Sequence, residues 1–101
     1  MAITIIDYHP EVENDLNNAF IWNQSLNFSA AIEFQDTINQ ALKEIVENPL
    51  LWPVEMGNIR KKVIKKFPYI IFYEIINEQI YVFVIAAARK KPGYWLNRLE
   101  K

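Results

Sequence analysis

The hydrophobic period of this chain changes once, near residue 58, and that change restricts it to a mixed helix-and-sheet architecture. Before the change, apolar residues recur every three or four positions. Pro10 suits a first helical position, Glu11 and Glu13 favour the positive helix end, and Val12, Leu16, Ala19, Phe20 and Asn23 predict a helix to about Leu26. Asn27-Phe28-Ser29 is a break with a capping residue, and Ala31, Phe34, Ile38, Ala41, Leu42 and Ile45 predict a second helix ending near Asn48-Pro49. So short a connection makes an antiparallel helical hairpin. After the change, residues 59–66, 69–76 and 79–88 are rich in Ile, Val, Tyr and Phe, joined by Phe67-Pro68 and Asn77-Glu78. They predict three adjacent antiparallel strands. Residues 50–58, with Pro53 and Gly57, read as a loop.

Ile3-Thr4-Ile5-Ile6, stopped by Asp7-Tyr8-His9-Pro10, predicts a first strand at an edge of the same sheet. The expected fold class is therefore α+β: an N-terminal strand, a helical hairpin, then a three-stranded antiparallel meander with the helices on one face. At 101 residues, 1–101 is expected to form a single domain burying about two-thirds of its surface. In the second and third strands of the meander both alternating sets are apolar, so both sheet faces call for cover. Beyond Ala88 the chain has only about one helical turn and a tail. An apolar patch is expected to remain for a partner segment, with Tyr81 and Phe83 in the contact.

Charge divides by position. Residues 1–55 carry nine acidic residues against Lys43 alone, a net of −8; residues 56–101 carry ten basic against three acidic, a net of +7. The back half offers a surface for phosphates or an acidic protein, or simply a solvated basic face. The absence of Cys removes disulfides, zinc-thiolate sites and cysteine nucleophiles, and suits a reducing cytoplasm. No apolar run approaches the roughly 18 residues of a membrane span, and the start lacks signal-peptide features. His9, the lone histidine, reads as a helix-start residue; no Gly-rich phosphate loop, metal cluster or cofactor motif is present.

The C-terminal half carries Phe67-Pro68-Tyr69, an apolar strand, then Arg89-Lys90-Lys91-Pro92-Gly93-Tyr94-Trp95-Leu96-Asn97-Arg98. This order and spacing, with the helical hairpin before it, resembles the RelE/ParE superfamily of type II toxin–antitoxin toxins. The resemblance implies a toxin neutralised by a cognate antitoxin, in the first place a ribosome-dependent endoribonuclease that cuts messenger RNA, with an inhibitor of DNA gyrase or a catalytically degenerate antitoxin-binding module as the alternatives. It also implies a ribonuclease site without a His–Glu pair, in which Arg60, Lys62, Arg89, Lys90 and Tyr94 act on the phosphate while Lys61, Lys65, Lys91, Trp95 and Arg98 bind the strand. Such chemistry needs the 2′-hydroxyl deprotonated, the leaving oxygen protonated and the phosphate oxygens held by donors. Two positions depart from that branch: Ile70 stands where many members carry Arg, and Ala87 where many carry His. Strict alternation sets Lys61 and Lys65 on one face and Arg60, Lys62 and Lys66 on the other. Tyr94 and Trp95 suit base stacking or closure of the core edge.

Overall fold

Pro10 and the residues around it start the first helix. His9 secures that start: its carbonyl accepts Val12 N–H at 2.9 Å and its Nδ1 accepts Glu11 N–H at 3.1 Å. The order is β1 (Ile6–Tyr8), α1 (Val12–Leu26), α2 (Phe28–Glu47), β2 (Val54–Met56), β3 (Ile59–Ile64), β4 (Tyr69–Ile76), β5 (Gln79–Ala87) and a 3-10 turn, Leu96–Leu99. A computed structural model of the chain describes residues 6–99, so the expected strand residues Ile3, Thr4 and Ile5 lie outside the described residues. Between the helices Asn27 is extended (φ −169°), and its side-chain oxygen accepts Ala30 N–H at 2.6 Å. Asn27 is thus the capping residue of that break. Among the described residues no helix is long and apolar enough to cross a membrane.

The sheet runs β1-β5-β4-β3-β2, with β1 parallel to β5 and the other pairs antiparallel. Asn77 (φ 50°) and Glu78 (φ 65°) form the two-residue turn between β4 and β5, where both central residues take positive φ to match the strand twist. The supposed loop at 50–58 contains the short edge strand β2, turned into β3 by Gly57 at φ 53°. Three residues between Pro53 and Gly57 show no period; only pairing with β3 makes them a strand.

The helices cover one sheet face. Val12, Ala19, Phe34, Ile38 and Ile45 pack on Tyr69, Ile71, Tyr73, Ile80, Val82 and Ile85, with the Phe34 ring 4.8 Å from that of Tyr69. The second face corrects the expectation of a bare apolar patch. Residues after Ala88 fold back across it: Trp95 is buried against Phe72, ring centroids 4.4 Å apart, with Ile59, Phe83, Val84 and Ala86 in the same cluster. One Trp, flanked by Tyr94 and Leu99, supplies cover that a count of helices could not foresee. The tail therefore covers much of the second face, and the apolar surface that stays open there is a groove beside the tail. Strict alternation also fails in β5. Phe72 pairs with Val84 and Tyr73 with Val82, leaving Phe83 as a bulge, so that Phe83 and Val84 both join the second-face cluster.

β1 stops opposite Val82, and beyond it the edge of β5 would be bare. Side chains close it. Asp15 Oδ2 accepts Ile85 N–H at 3.0 Å, and Arg98 Nη1 donates to the Phe83 carbonyl at 3.1 Å. Arg98 also grips Asp15 with two hydrogen bonds, at 2.7 and 2.9 Å. This clasp pins the C-terminal turn to the sheet.

Candidate functional site

Once the C-terminal segment is pinned, a groove of about 270 Å³ opens between it and the second sheet face. Its floor is Ile70 and Phe72 of β4 with Ala86 and Ala87 of β5, and its wall is Tyr94, Trp95 and Leu96. Lys61, Lys90 and Lys91 stand around it, facing Glu55 and Met56 of β2. The wall depends on Gly93: its φ is 78°, and a Cβ there would lie 3.0 Å from Leu96 Cδ1. Lys61 is paired with Glu55 at 2.9 Å, and the Lys90 ammonium lies 4.9 Å from the Tyr94 ring centroid. Burial chiefly, then the charge of Asp15, pushes the Tyr94 phenol up, against the opposing pull of Arg98 and Arg89. Its proton is harder to remove for that reason.

Of the five residues expected to act on a phosphate, Arg89, Lys90 and Tyr94 meet at one small pocket beside Tyr69 and Asp15, and Arg60 and Lys62 do not join them. Arg60 and Lys62 lie on the helix face. Arg60 Nη1 donates to the carbonyls of Trp52 at 2.7 Å and Leu50 at 3.3 Å. Lys62 is buried, with its ammonium 3.0 Å from Glu44 Oε1 and 3.6 Å from the Trp52 ring centroid. That bond, followed by the one from Gln40, holds the Glu44 carboxyl below the usual carboxylate range. Tyr73 OH donates to the Pro49 carbonyl at 2.7 Å, and burial pushes its phenol up to about 12. Together these side chains stake the 49–53 loop to the sheet. Arg89 stacks 4.1 Å from Trp22 of α1 and donates to Tyr69 OH at 3.1 Å, away from Lys61. Only Lys90 and Tyr94 of the five border the groove.

Of the residues expected to bind the strand, Lys61, Lys91 and Trp95 line the groove, Arg98 is spent in the clasp, and Lys65 lines a separate groove between α2 and β3, beside the Lys66–Glu33 pair. Of the antitoxin-contact pair, Phe83 is buried by the chain's own tail and Tyr81 is half-buried, its ring 4.9 Å from that of Phe83. Sequence reasoning missed Glu55, Met56 and Leu96 on the groove and Asp15 behind it. Asp15 carried no signal, since its partner is 83 residues away. Among the described residues no group of three or more His, Asp or Glu side chains forms a candidate metal site.

Residues 6–92, including the groove floor and Lys61, Lys90 and Lys91, match the family described as the ParE toxin of the type II toxin–antitoxin system parDE. The chain belongs to the ParE toxin family. The match ends at Pro92, so the groove wall from Gly93 onward lies outside the part of this ParE-family toxin that the family match covers. The fold is similar to a solved structure titled as a chromosomal ParDE toxin–antitoxin system from P. aeruginosa. The TM-score is 0.75 at 13% identity, covering 86% of this chain and 98% of that one. At that identity the likeness concerns the fold. No curated relative matches the chain.

Proposed function

We propose that this ParE-family toxin, acting as one domain over residues 1–101, inhibits DNA gyrase by binding through the groove, and that a cognate antitoxin neutralises it in the cytoplasm. The observation that carries this reading over messenger RNA cleavage is the apolar groove floor. Ile70 and Ala87 lie on it where ribonuclease members carry Arg and His, while Arg60 and Lys62 are tied down on the opposite face. Cleavage by a 2′-hydroxyl requires a base, an acid and donors aimed at one phosphate. The groove offers a raised phenol and ammonium groups at its margin. An apolar floor edged by cations suits a protein segment with an apolar anchor and acidic neighbours. The family membership supports the antitoxin and leans toward gyrase.

The test adds purified toxin to a gyrase supercoiling reaction and, separately, to ribosomes translating a labelled message. Loss of supercoiling with an intact message is the expected result. Cleaved message with supercoiling unaffected would replace this reading by the endoribonuclease one, in which Lys90 beside the Tyr94 ring would hold the strand. No effect in either reaction would make the chain a binding module without toxic action.

A further inference from the structure

Several cations of the basic half are already satisfied within the chain. Lys61, Lys62, Lys66 and Arg98 pair with carboxylates, and Arg60 donates to two carbonyls. Arg89 and Lys90 differ: among the described residues neither has a carboxylate partner, yet both are held in place. The Arg89 guanidinium lies 4.1 Å from the Trp22 ring centroid and donates through Nη1 to Tyr69 OH at 3.1 Å, which leaves Nε and Nη2 without an acceptor. Lys90 rests against the Tyr94 ring. Tyr69 is 2% exposed, and its own hydroxyl proton has no acceptor among the described residues. A buried hydroxyl that gives its proton to nothing marks an incomplete site. These groups, with Asn18, line a pocket of about 20 Å³. Asp15 lines it too, but spends its carboxylate oxygens on Arg98 and Ile85 N–H and so cannot answer Arg89 or Lys90. Ala87, Lys90 and Tyr94 line this pocket and the groove alike, which sets the two side by side.

We infer that this pocket is a carboxylate subsite of the groove: the partner segment seats an apolar side chain on the floor formed by Ile70 and Phe72, and an Asp or Glu side chain against Arg89, Lys90 and Tyr69 OH. The inference rests on the reading of the groove as the surface that meets gyrase, and adds the chemistry that the gyrase segment carries. Two fixed cations and a hydroxyl donor without an anion form a preorganised anion site, and a guanidinium offers a carboxylate two parallel bonds. A space of about 20 Å³ holds one or two water-sized atoms, which suits the two oxygens of a carboxylate better than the four of a phosphate. The Asp15 charge counts twice against a phosphate dianion and once against a carboxylate. Arg98 already balances that charge, so Arg89 and Lys90 leave the pocket positive. The floor beside it is apolar, where a nucleic-acid strand needs further cations at its next phosphates. Neighbouring side chains of a protein segment supply both parts at once.

The test titrates the full chain with small probes, followed by the protein's amide signals in magnetic resonance. The probes are phenylpropionate, which joins a ring to a carboxylate, its uncharged amide, and phenethyl phosphate. Phenylpropionate should bind with a dissociation constant on the order of 1 mM, as its size allows, and should move the amide signals of Ala87, Lys90 and Tyr94. Its amide should bind about five- to tenfold more weakly. Arg89→Gln should bring the two within about twofold of each other and weaken gyrase inhibition about tenfold; Arg89 is exposed, so the fold should hold. Acid and amide bound alike by the wild type, or bound elsewhere, would overturn the inference whatever Arg89→Gln does. Phenethyl phosphate bound more tightly than the carboxylate would also overturn it, and would give the pocket to a nucleic-acid strand. The gyrase reading fails separately. A chain that discriminates between the probes as expected but leaves supercoiling untouched keeps the subsite and loses gyrase as its partner; gyrase inhibited by a chain that binds acid and amide alike keeps the gyrase reading and loses the subsite.

Discussion

Arg98→Met keeps an unbranched apolar stem and removes the guanidinium, and its cost is set by the groups left without a partner. Asp15 keeps its bond from Ile85 N–H but loses its counter-charge, and the Phe83 carbonyl loses its donor. The pair is well shielded, with side chains 11% and 7% exposed. Breaking such a pair from one side costs about 3–5 kcal/mol, a large share of the roughly 5–15 kcal/mol that holds a domain of this size together. At about 2 kcal/mol per molar urea the midpoint should fall by about 2 M. Asp15→Met should cost a similar amount, and the double variant little more than either single, because the two share one interaction. The control is Lys66→Met, whose pair with Glu33 has side chains 59% and 51% exposed and should matter by at most about 1 kcal/mol. Unfolding would be followed by Trp fluorescence and circular dichroism together; in the variants the fluorescence change should come first, as the segment carrying Trp95 leaves the sheet. An Arg98→Met protein within about 1 kcal/mol of wild type, with coincident transitions, would refute the clasp.

Tyr73 gives a pH prediction. Its phenol is raised from 10.0 to about 12, so the stability lost on its ionisation is lost above pH 10 only if the unfolded chain ionises first: the unfolded phenol releases its proton near 10, the folded one near 12, and stability falls across that window by about 2–3 kcal/mol. Tyr73→Phe should cost about 1 kcal/mol at neutral pH by unpairing the Pro49 carbonyl, and should flatten the alkaline fall; Tyr8, Tyr81 and Tyr94, also raised chiefly by burial, keep part of it in a pH-stability series. Gly93→Ala should lose about 1 kcal/mol or more through its positive φ, and its Trp emission should shift red, since Trp95 lies two residues later; an unchanged melting temperature would count against the tight turn.

The larger elements were legible because each has a period long enough to read: both helices and β4 lie where the spacing sets them, and Phe67-Pro68 and Asn77-Glu78 mark turns. β2 was not, because three residues have no period. Alternation correctly parted Lys61 from Arg60 and Lys62, yet it could not say which face the tail would wall into a groove. That choice rests on Asp15 gripping Arg98 across nearly the whole chain, a pairing without local trace. The bulge at Phe83 was hidden for a similar reason. Every residue of β5 around it is apolar on either register, so only the paired strand decides which side chains face the tail.

The claim that the groove is the working surface, and that the basic residues on the helix face are structural, is tested most directly by gyrase inhibition per folded molecule. The comparison is between wild type, a Lys90→Glu/Lys91→Glu double variant and Lys62→Met. Lys90 and Lys91 are exposed at the groove, so their reversal should leave the fold intact and weaken inhibition by about 10- to 100-fold, through lost and reversed charge at the contact. Lys62→Met should melt earlier, for want of its bonds to Glu44 and Trp52, yet inhibit as well as wild type once corrected for the folded fraction. Inhibition abolished in Lys62→Met and undiminished in the groove variant would contradict the account.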